Sequence, residues 1–422
     1  MVGRRPVNSK KDCRTMLFLG EIAPMSIDIR RTAHGLVLGL AAAFAAPHFA
    51  LAQATFNPYA DARYEYDSNV FRSQGAQANL IAIGDSTLAD KDLKSVVGVD
   101  GTYLWSAQKL TATLEGRRYN YDHFTNLDHN EYLADVALKW KTTSLLDGIL
   151  EARQEQLMAP FAIGNSTQLT IDVDRKISGT LDLNINPDWR LESGVYSHNL
   201  KAPLQDFPDF TEREVGTQLA LVNRSITHLT YGISLDHISG RYENAPSVGS
   251  YDQTDAQLTV NYTVSALSTF KGAVGYTKRQ QAGDSLSGIT GLLGYTRQLT
   301  VKTSVTFNAT RTVNSYVAAG GSEIDTGATA TVSWQATYRV GVSLSGGYTH
   351  SAFVGQFVPG SPGSITAGRV DNSPEGSLNV NYQVLRNVKL RAYLNRQSRS
   401  SDVDLYTYND TTVGIEARVS LR

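Results

Sequence analysis

Residues 132–140, 229–236, 301–309 and 412–421 repeat with a period of two, one set of alternate positions largely apolar and the other largely polar. Tyr132, Ala134, Val136, Leu138 and Trp140 are interleaved with Leu133, Asp135, Ala137 and Lys139. Val413, Ile415, Ala417, Val419 and Leu421 are interleaved in the same way with Thr412, Gly414, Glu416 and Arg418. A period of two places one set on each face of a strand, whereas a helix would gather its apolar residues three and four apart. The pattern recurs along the chain and predicts eighteen strands, starting near 57, 94, 108, 130, 145, 175, 189, 212, 226, 252, 268, 286, 299, 325, 339, 375, 387 and 411.

The connections between these strands alternate in length. Short turns are expected at 106–108, 141–144, 186–188, 222–225, 263–267, 296–298, 335–338 and 383–386, with long polar stretches at 67–93, 198–211, 311–324 and 351–374. An even strand number with short turns at one end and long loops at the other is the signature of a transmembrane, antiparallel, up-and-down β-barrel. The fold class expected is therefore all-β. A secreted sandwich, propeller or solenoid is the alternative, but no repeat of fixed 20–50-residue period is present.

The aromatic residues supply a second line. Trp105, Trp140, Trp189 and Trp334 all stand beside short turns, as do Tyr262, Tyr295 and Tyr382. Tyr119, Tyr196, Tyr242, Tyr276 and Tyr348 stand near the long loops. Two belts of amphipathic rings are expected where a barrel meets both membrane interfaces.

Residues 1–54 are set apart from the barrel. Met25–Ala54 has a basic start at Arg30 and Arg31, an apolar run from Gly35 to Ala46, and small residues at Ala50, Ala52 and Ala54, the layout of a secretory signal. Translation is expected to begin at Met25, with 1–24 an extension and 55–422 the barrel. The single cysteine, Cys13, lies in the discarded part, so the mature chain has neither disulfides nor thiolate ligands. Removing that segment's 7 basic and 3 acidic residues from 39 and 40 leaves 32 and 37, a mildly acidic balance that gives no case for nucleic acid.

If the apolar parity meets lipid, the other parity lines the lumen. The candidate lumen-lining residues are Asp61, Arg63, Glu65, Arg117, Asp135, Lys139, Glu151, Arg153, Arg190, Lys389, Arg391, Glu416 and Arg418, among many Ser, Thr, Asn and Gln. About eighteen strands enclose a water-filled channel. Mixed charges suit a neutral or weakly charged hydrophilic solute, with lumenal aromatic rings as platforms for sugars. The loop from Gly355 to Gly376 reads either as an inward constriction or as a solvated surface loop.

Chemistry-bearing motifs are sparse. Asp67-Ser68-Asn69 starts like a calcium loop, but Val70, Phe71 and Arg72 follow instead of further ligands and glycine. His237 and Ser239 share one strand face, toward lipid near the outer rim, and Thr254 and Asp252 are the expected neighbours on the next strand. That pair supports a surface lipid hydrolase only weakly, for want of a residue to orient the imidazole. No enzyme, no cofactor and no metal site is expected.

Tyr64–Arg72, "YEYDSNVFR", resembles the D-[DS]-N-[VL]-[FY]-R signature of the β-barrel porin 2 family, in particular its EpsL-like members from exopolysaccharide operons. Arg117–Trp140 is similar to their second hairpin region, and the match is strongest over 57–140. The resemblance implies an outer-membrane channel exporting an exopolysaccharide, delivered by a periplasmic polysaccharide export protein. Its partners would be outer-membrane lipid and the polysaccharide chain. A general or nutrient-uptake porin is the alternative. Tyr64 and Tyr66 are expected to face the membrane, Arg63 and Glu65 the lumen, and Asp67-Ser68-Asn69 to end the first strand. The C-terminal Arg422 departs from the aromatic ending of many outer-membrane barrels.

Overall fold

Alternation carried through segment after segment yields a single closed wall. The computed structural model describes residues 54–161, 167–203, 210–244, 249–281, 284–316, 321–354 and 368–421. Residues 1–53, which hold nearly all of the segment expected to be a secretory signal, most of the 355–376 loop and Arg422 lie outside them. The strands are β1 (Ala54–Asp67), β2 (Asp90–Trp105), β3 (Gln108–Tyr121), β4 (His129–Lys141), β5 (Leu146–Met158), β6 (Ile171–Asn184), β7 (Trp189–Lys201), β8 (Thr211–Ile226) and β9 (Leu229–Glu243). They continue as β10 (Ser250–Ser265), β11 (Ser268–Gln281), β12 (Asp284–Thr300), β13 (Thr303–Tyr316), β14 (Gly321–Gln335), β15 (Val340–Val354), β16 (Val370–Leu385), β17 (Val388–Ser401) and β18 (Tyr408–Ser420). One short helix, α1 (Ala76–Ile83), sits in the β1–β2 connection. Each strand pairs antiparallel with its sequence neighbours, and β1 pairs with both β2 and β18. The barrel of eighteen strands is thus closed, and no sheet edge is left unpaired.

The outward parity is apolar and open. Val97, Ile177, Leu258, Leu344 and Ile415 are each more than half exposed, a state that only a hydrocarbon surrounding favours. Trp105, Trp334, Tyr262 and Tyr382 lie on this exposed surface at the short-turn end. At the loop end the belt differs from expectation. Tyr64, Tyr66, Tyr276 and Tyr348 face outward, but Tyr119, Tyr196 and Tyr242 turn inward, where Arg63 and Lys94 lie over Tyr119 and Lys176 over Tyr196. Nearness to a loop does not fix the face, because two adjacent residues always face opposite ways.

The long connections are shorter than expected because the strands run past the membrane: β7 ends at Lys201, β8 starts at Thr211, β13 ends at Tyr316 and β14 starts at Gly321. At the other end, the turn expected at 263–267 falls inside that span, at 266–267, the one expected at 383–386 overlaps it at 386–387, and those expected at 222–225 and 296–298 fall later, at 227–228 and 301–302. In all four the earlier strand carries a register shift just before a two-residue turn, between Asn223 and Ile226, Thr263 and Ser265, Gln298 and Thr300, and Gln383 and Leu385. The extra residue interrupts the alternation, so a bulge reads in the sequence as the turn itself. Lys302, placed on the lumenal parity by its alternation, lies in one of these turns and donates to Ala336 O at 3.3 Å.

Asp67-Ser68-Asn69 ends β1 at the seam where the barrel closes. The Asp67 carboxylate accepts the Asn69 N–H at 2.7 Å, an Asx turn. Arg72, at φ 55°, folds back on Asp67 at 2.8 Å and reaches Asp410 of β18 at 3.2 Å. Thr411 N donates to Ser68 Oγ, and Asn69 Nδ2 donates to Asn409 O. Phe71 then packs edge-on to Phe124 (4.8 Å between centroids) and against Phe161 (5.0 Å), within an apolar cluster that ties three outer connections together. The motif fastens first strand to last and loop to loop; it holds no metal geometry. Among the described residues no group of His, Cys, Asp and Glu is arranged to hold an ion.

Candidate functional site: the lumen

On a convex wall the side chains diverge, and on a concave one they converge. Contacts between strands that are not neighbours therefore mark the inner face. Arg117 of β3 reaches Glu155 of β5 at 3.1 Å, and Arg190 of β7 reaches Asp147 of β5 at 2.9 Å. These four residues stand on the parity opposite the apolar band, as period two requires.

One sector of this inner face is ionic. Arg63 bonds Asp92 through both carboxylate oxygens at 3.0 Å and lies 3.4 Å from Glu65. Arg117 meets Glu115, Glu131 and Glu155, and Arg153 meets Asp135 and Glu155. Arg190 meets Asp147, Asp182 and Glu192, while His198 bridges Asp174 and Glu214. Arg418 lies 3.6 Å from both Asp61 and Asp100, and Arg391 is 3.8 Å from Glu416. Lys139, Glu151 and Lys389 stand on the same face by register, opposite Lys109, Ser178 and Gln383 respectively. The structure thus gathers most of the candidate residues into mutually neutralising ladders spread over β1–β8, β17 and β18.

The opposite sector carries hydroxyls and amides. Thr296, Thr306, Thr331, Ser345, Ser377 and Asn395 occupy one cross-strand row over β12–β17. Ser345 and Ser377 are 2.7 Å apart, and Thr296 and Thr306 are 3.3 Å apart. A second row joins Gln298, Ser304, Ser333, Ser343 and Asn379. None of these side chains is buried. Polar alternation in β13 signalled such residues in the sequence, but their gathering into one sector follows from strand order.

Lumenal tyrosines are built into the wall and are not free platforms. Tyr59 (β1) lies over Gly98 (β2) and donates to Glu115 (β3) at 2.6 Å. Tyr251 (β10) lies over Gly240 (β9) and donates to Glu212 (β8) at 2.8 Å. Tyr393 (β17) lies over Gly414 (β18) and donates to Glu65 (β1) across the closure. Tyr59, Tyr251 and Tyr393 are all buried. The ring fills the space that glycine leaves, and its hydroxyl is satisfied two strands away. No sequence signal foretells such a tile, since its three members come from three strands.

Buried polar side chains concentrate at the loop end of the inner face: Asp92, Glu131, Glu212, Asp255, Arg279, Asp371 and Asp410. Arg279 stacks on Tyr251 at 3.6 Å, and Arg369 lies between the rings of Phe353 and Tyr406 at 3.8 Å from each. A pocket of about 330 Å³ remains there, lined by Arg63, Glu65, Asp92, Tyr119 and Tyr121 among others. The lumen is thus more filled at the loop end and more open at the turn end.

His237 and Ser239 face outward, opposite Thr254 and Asp252 of β10. His237 Nδ1 lies 3.1 Å from Thr254 Oγ1, and no hydrogen bond joins His237 to Ser239. A threonine hydroxyl cannot stabilise an imidazolium as a carboxylate does.

A family model described as "Putative beta-barrel porin 2" matches residues 243–421, from the end of β9 to the end of β18. The stretches whose wording resembles that family, 64–72 and 117–140, precede the matched span. No curated protein matches this chain. Similar solved structures include Pseudomonas aeruginosa OpdK with vanillate (11% identity over 87% of this chain and 99% of that one, TM-score 0.48) and the copper transporter OprC (12%, 85% and 64%, 0.49). Pseudomonas aeruginosa OccK3 (12%, 87% and 95%, 0.46) is another. Over residues 243–421 the chain is thus similar to a β-barrel porin family, and its fold is a closed antiparallel barrel of eighteen strands.

Proposed function

We propose that this barrel is a passive conduit through which a polysaccharide leaves across the outer membrane. The observation that carries the reading is the two hydroxyl and amide rows toward the turn end of β12–β17, facing a sector whose ions are paired with one another. Hydroxyls in rows replace the hydration of sugar hydroxyls at each step, and a neutral chain is neither trapped nor repelled by ions already paired along the wall. The turn end, open and polar, receives the polymer from a periplasmic polysaccharide export protein. Nothing in this mechanism needs an enzymatic step or a cofactor. The wording of Tyr64–Arg72, similar to EpsL-like proteins of exopolysaccharide operons, supports the same cargo.

A nutrient-uptake porin is the second reading, and the filled loop end of the lumen favours it, because small solutes pass where a polymer needs width. Deleting the gene separates the two. Loss of surface polysaccharide with unchanged uptake of small sugars is the expected result, and intact polysaccharide with slowed uptake would reverse the assignment. The purified channel in a planar bilayer should also be blocked by neutral oligosaccharides added on the turn side.

A further inference from the structure

We propose that the outward face of β6–β11 binds a phosphorylated glycolipid of the outer leaflet. At the loop end of these strands, Arg213 of β8 stands directly opposite Arg241 of β9. Their side chains are 50% and 63% exposed, and both reach one carboxylate, Glu243, at 3.0 and 3.3 Å. Like charges directly opposite on a sheet destabilise it, and among the described residues of this outward face the carboxylates are Glu243 and, one row nearer the membrane, Asp252, against Arg175, Arg213, Arg241 and Lys278. Arg175 of β6 extends the row across Asn199. Lys278 of β11 and His237 lie two rows nearer the membrane, each paired in register with Thr254.

The turn end of the same strands shows the contrast: Leu183, Trp189, Leu229, Tyr262 and Phe270 occupy its outward positions, and none is charged. The positive patch therefore belongs to one leaflet. Beneath it lies an apolar groove of about 770 Å³ across β7–β12, lined by Leu219, Ile233, Leu235, Leu258, Val274 and Ile289. Its upper row, at Leu219 and Leu235, is six residues below Arg213 and Arg241, roughly 20 Å along the strands. Guanidiniums above a groove on the lipid-facing parity fit a ligand with phosphates on a sugar headgroup and acyl chains below. Phosphate accepts bidentate bonds from arginine, which is the charge complement the pair lacks.

Native mass spectrometry of the detergent-solubilised barrel tests this with two probes, diphosphoryl lipid A and the same lipid without phosphates. The phosphorylated lipid is expected to bind, and Arg213→Gln/Arg241→Gln to weaken it roughly thirtyfold, from the usual contribution of each surface cation to anionic lipid. Lys278→Gln, on a separate strand, should weaken it a few-fold, so a misfolded double variant does not end the test. Arg297→Gln, outward at the turn end, should leave it unchanged. Equal binding of the two lipids overturns the proposal, as does unchanged affinity in the folded double variant or in Lys278→Gln. A patch that instead joins two copies, with dimers lost in the double variant and lipid retained, overturns it too.

Discussion

The residues that hold this wall together act across two strands. Built on Gly414, a Cβ would stand 2.3 Å from the Tyr393 hydroxyl, so Gly414→Ala must push the ring off the wall. Urea unfolding in lipid vesicles should show a loss of about 1–3 kcal/mol, typical of overpacking. Tyr393→Phe keeps the ring and loses the bond to Glu65, a milder loss of about 1 kcal/mol. Arg72→Ala should cost more, about 3 kcal/mol, because Asp410 is 1% exposed and would lose its cation. Among the described residues, one loop carboxylate is held well below the ordinary range. Asp85 is held down at about 2 by the Thr87 backbone N–H and by His123. A depressed carboxyl stabilises above its ordinary value near 4 and loses that contribution as pH falls through about 2. Carboxyl NMR should therefore show Asp85 still ionised at pH 3.

At the scale of strands and turns, the glutamines of the short-turn end have a shared task. Gln298 Nε2 donates to Thr300 O at 2.6 Å and Gln335 Nε2 to Thr337 O at 2.7 Å, while Gln383 Nε2 donates to Leu385 O. Each bonds the carbonyl two residues on, at a bulge or tight turn. Gln383→Ala should destabilise by about 1 kcal/mol, and amide hydrogen exchange should localise the change to the β16–β17 hairpin. Alternation gave the strands and their faces to within a few residues, because burial in lipid enforces it on every strand. It misplaced the turns at 227–228 and 301–302, where an inserted residue breaks the period. It also could not show whether Tyr119, Tyr196 and Tyr242 face in or out, because each stands where the apolar pattern fades into polar loop.

At the scale of the barrel, closure depends on nine residue pairs between β1 and β18, from Tyr59–Ser420 to Asp67–Thr412. The Asp67–Arg72–Asp410 clasp stands at one end of that seam and the Leu421 N to Pro58 O bond at the other. Weakening the clasp should lower the temperature at which the folded barrel loses its compact gel mobility, while Arg297→Gln, outward and far from the seam, should leave it unchanged.

The sequence by itself determined strand number, antiparallel order and the split between a lipid parity and a lumen parity, because a membrane tolerates only closed sheets with one apolar face. The Asp67-Ser68-Asn69 strand end was legible for a local reason: its first bond spans two residues. Only the tertiary structure decided which charges meet, that tyrosine, glycine and glutamate from three strands form one tile, and that hydroxyl rows gather opposite ionic ladders. Those features depend on curvature and closure, which bring together residues as far apart as Glu65 and Tyr393, and no local pattern encodes a distance of that kind.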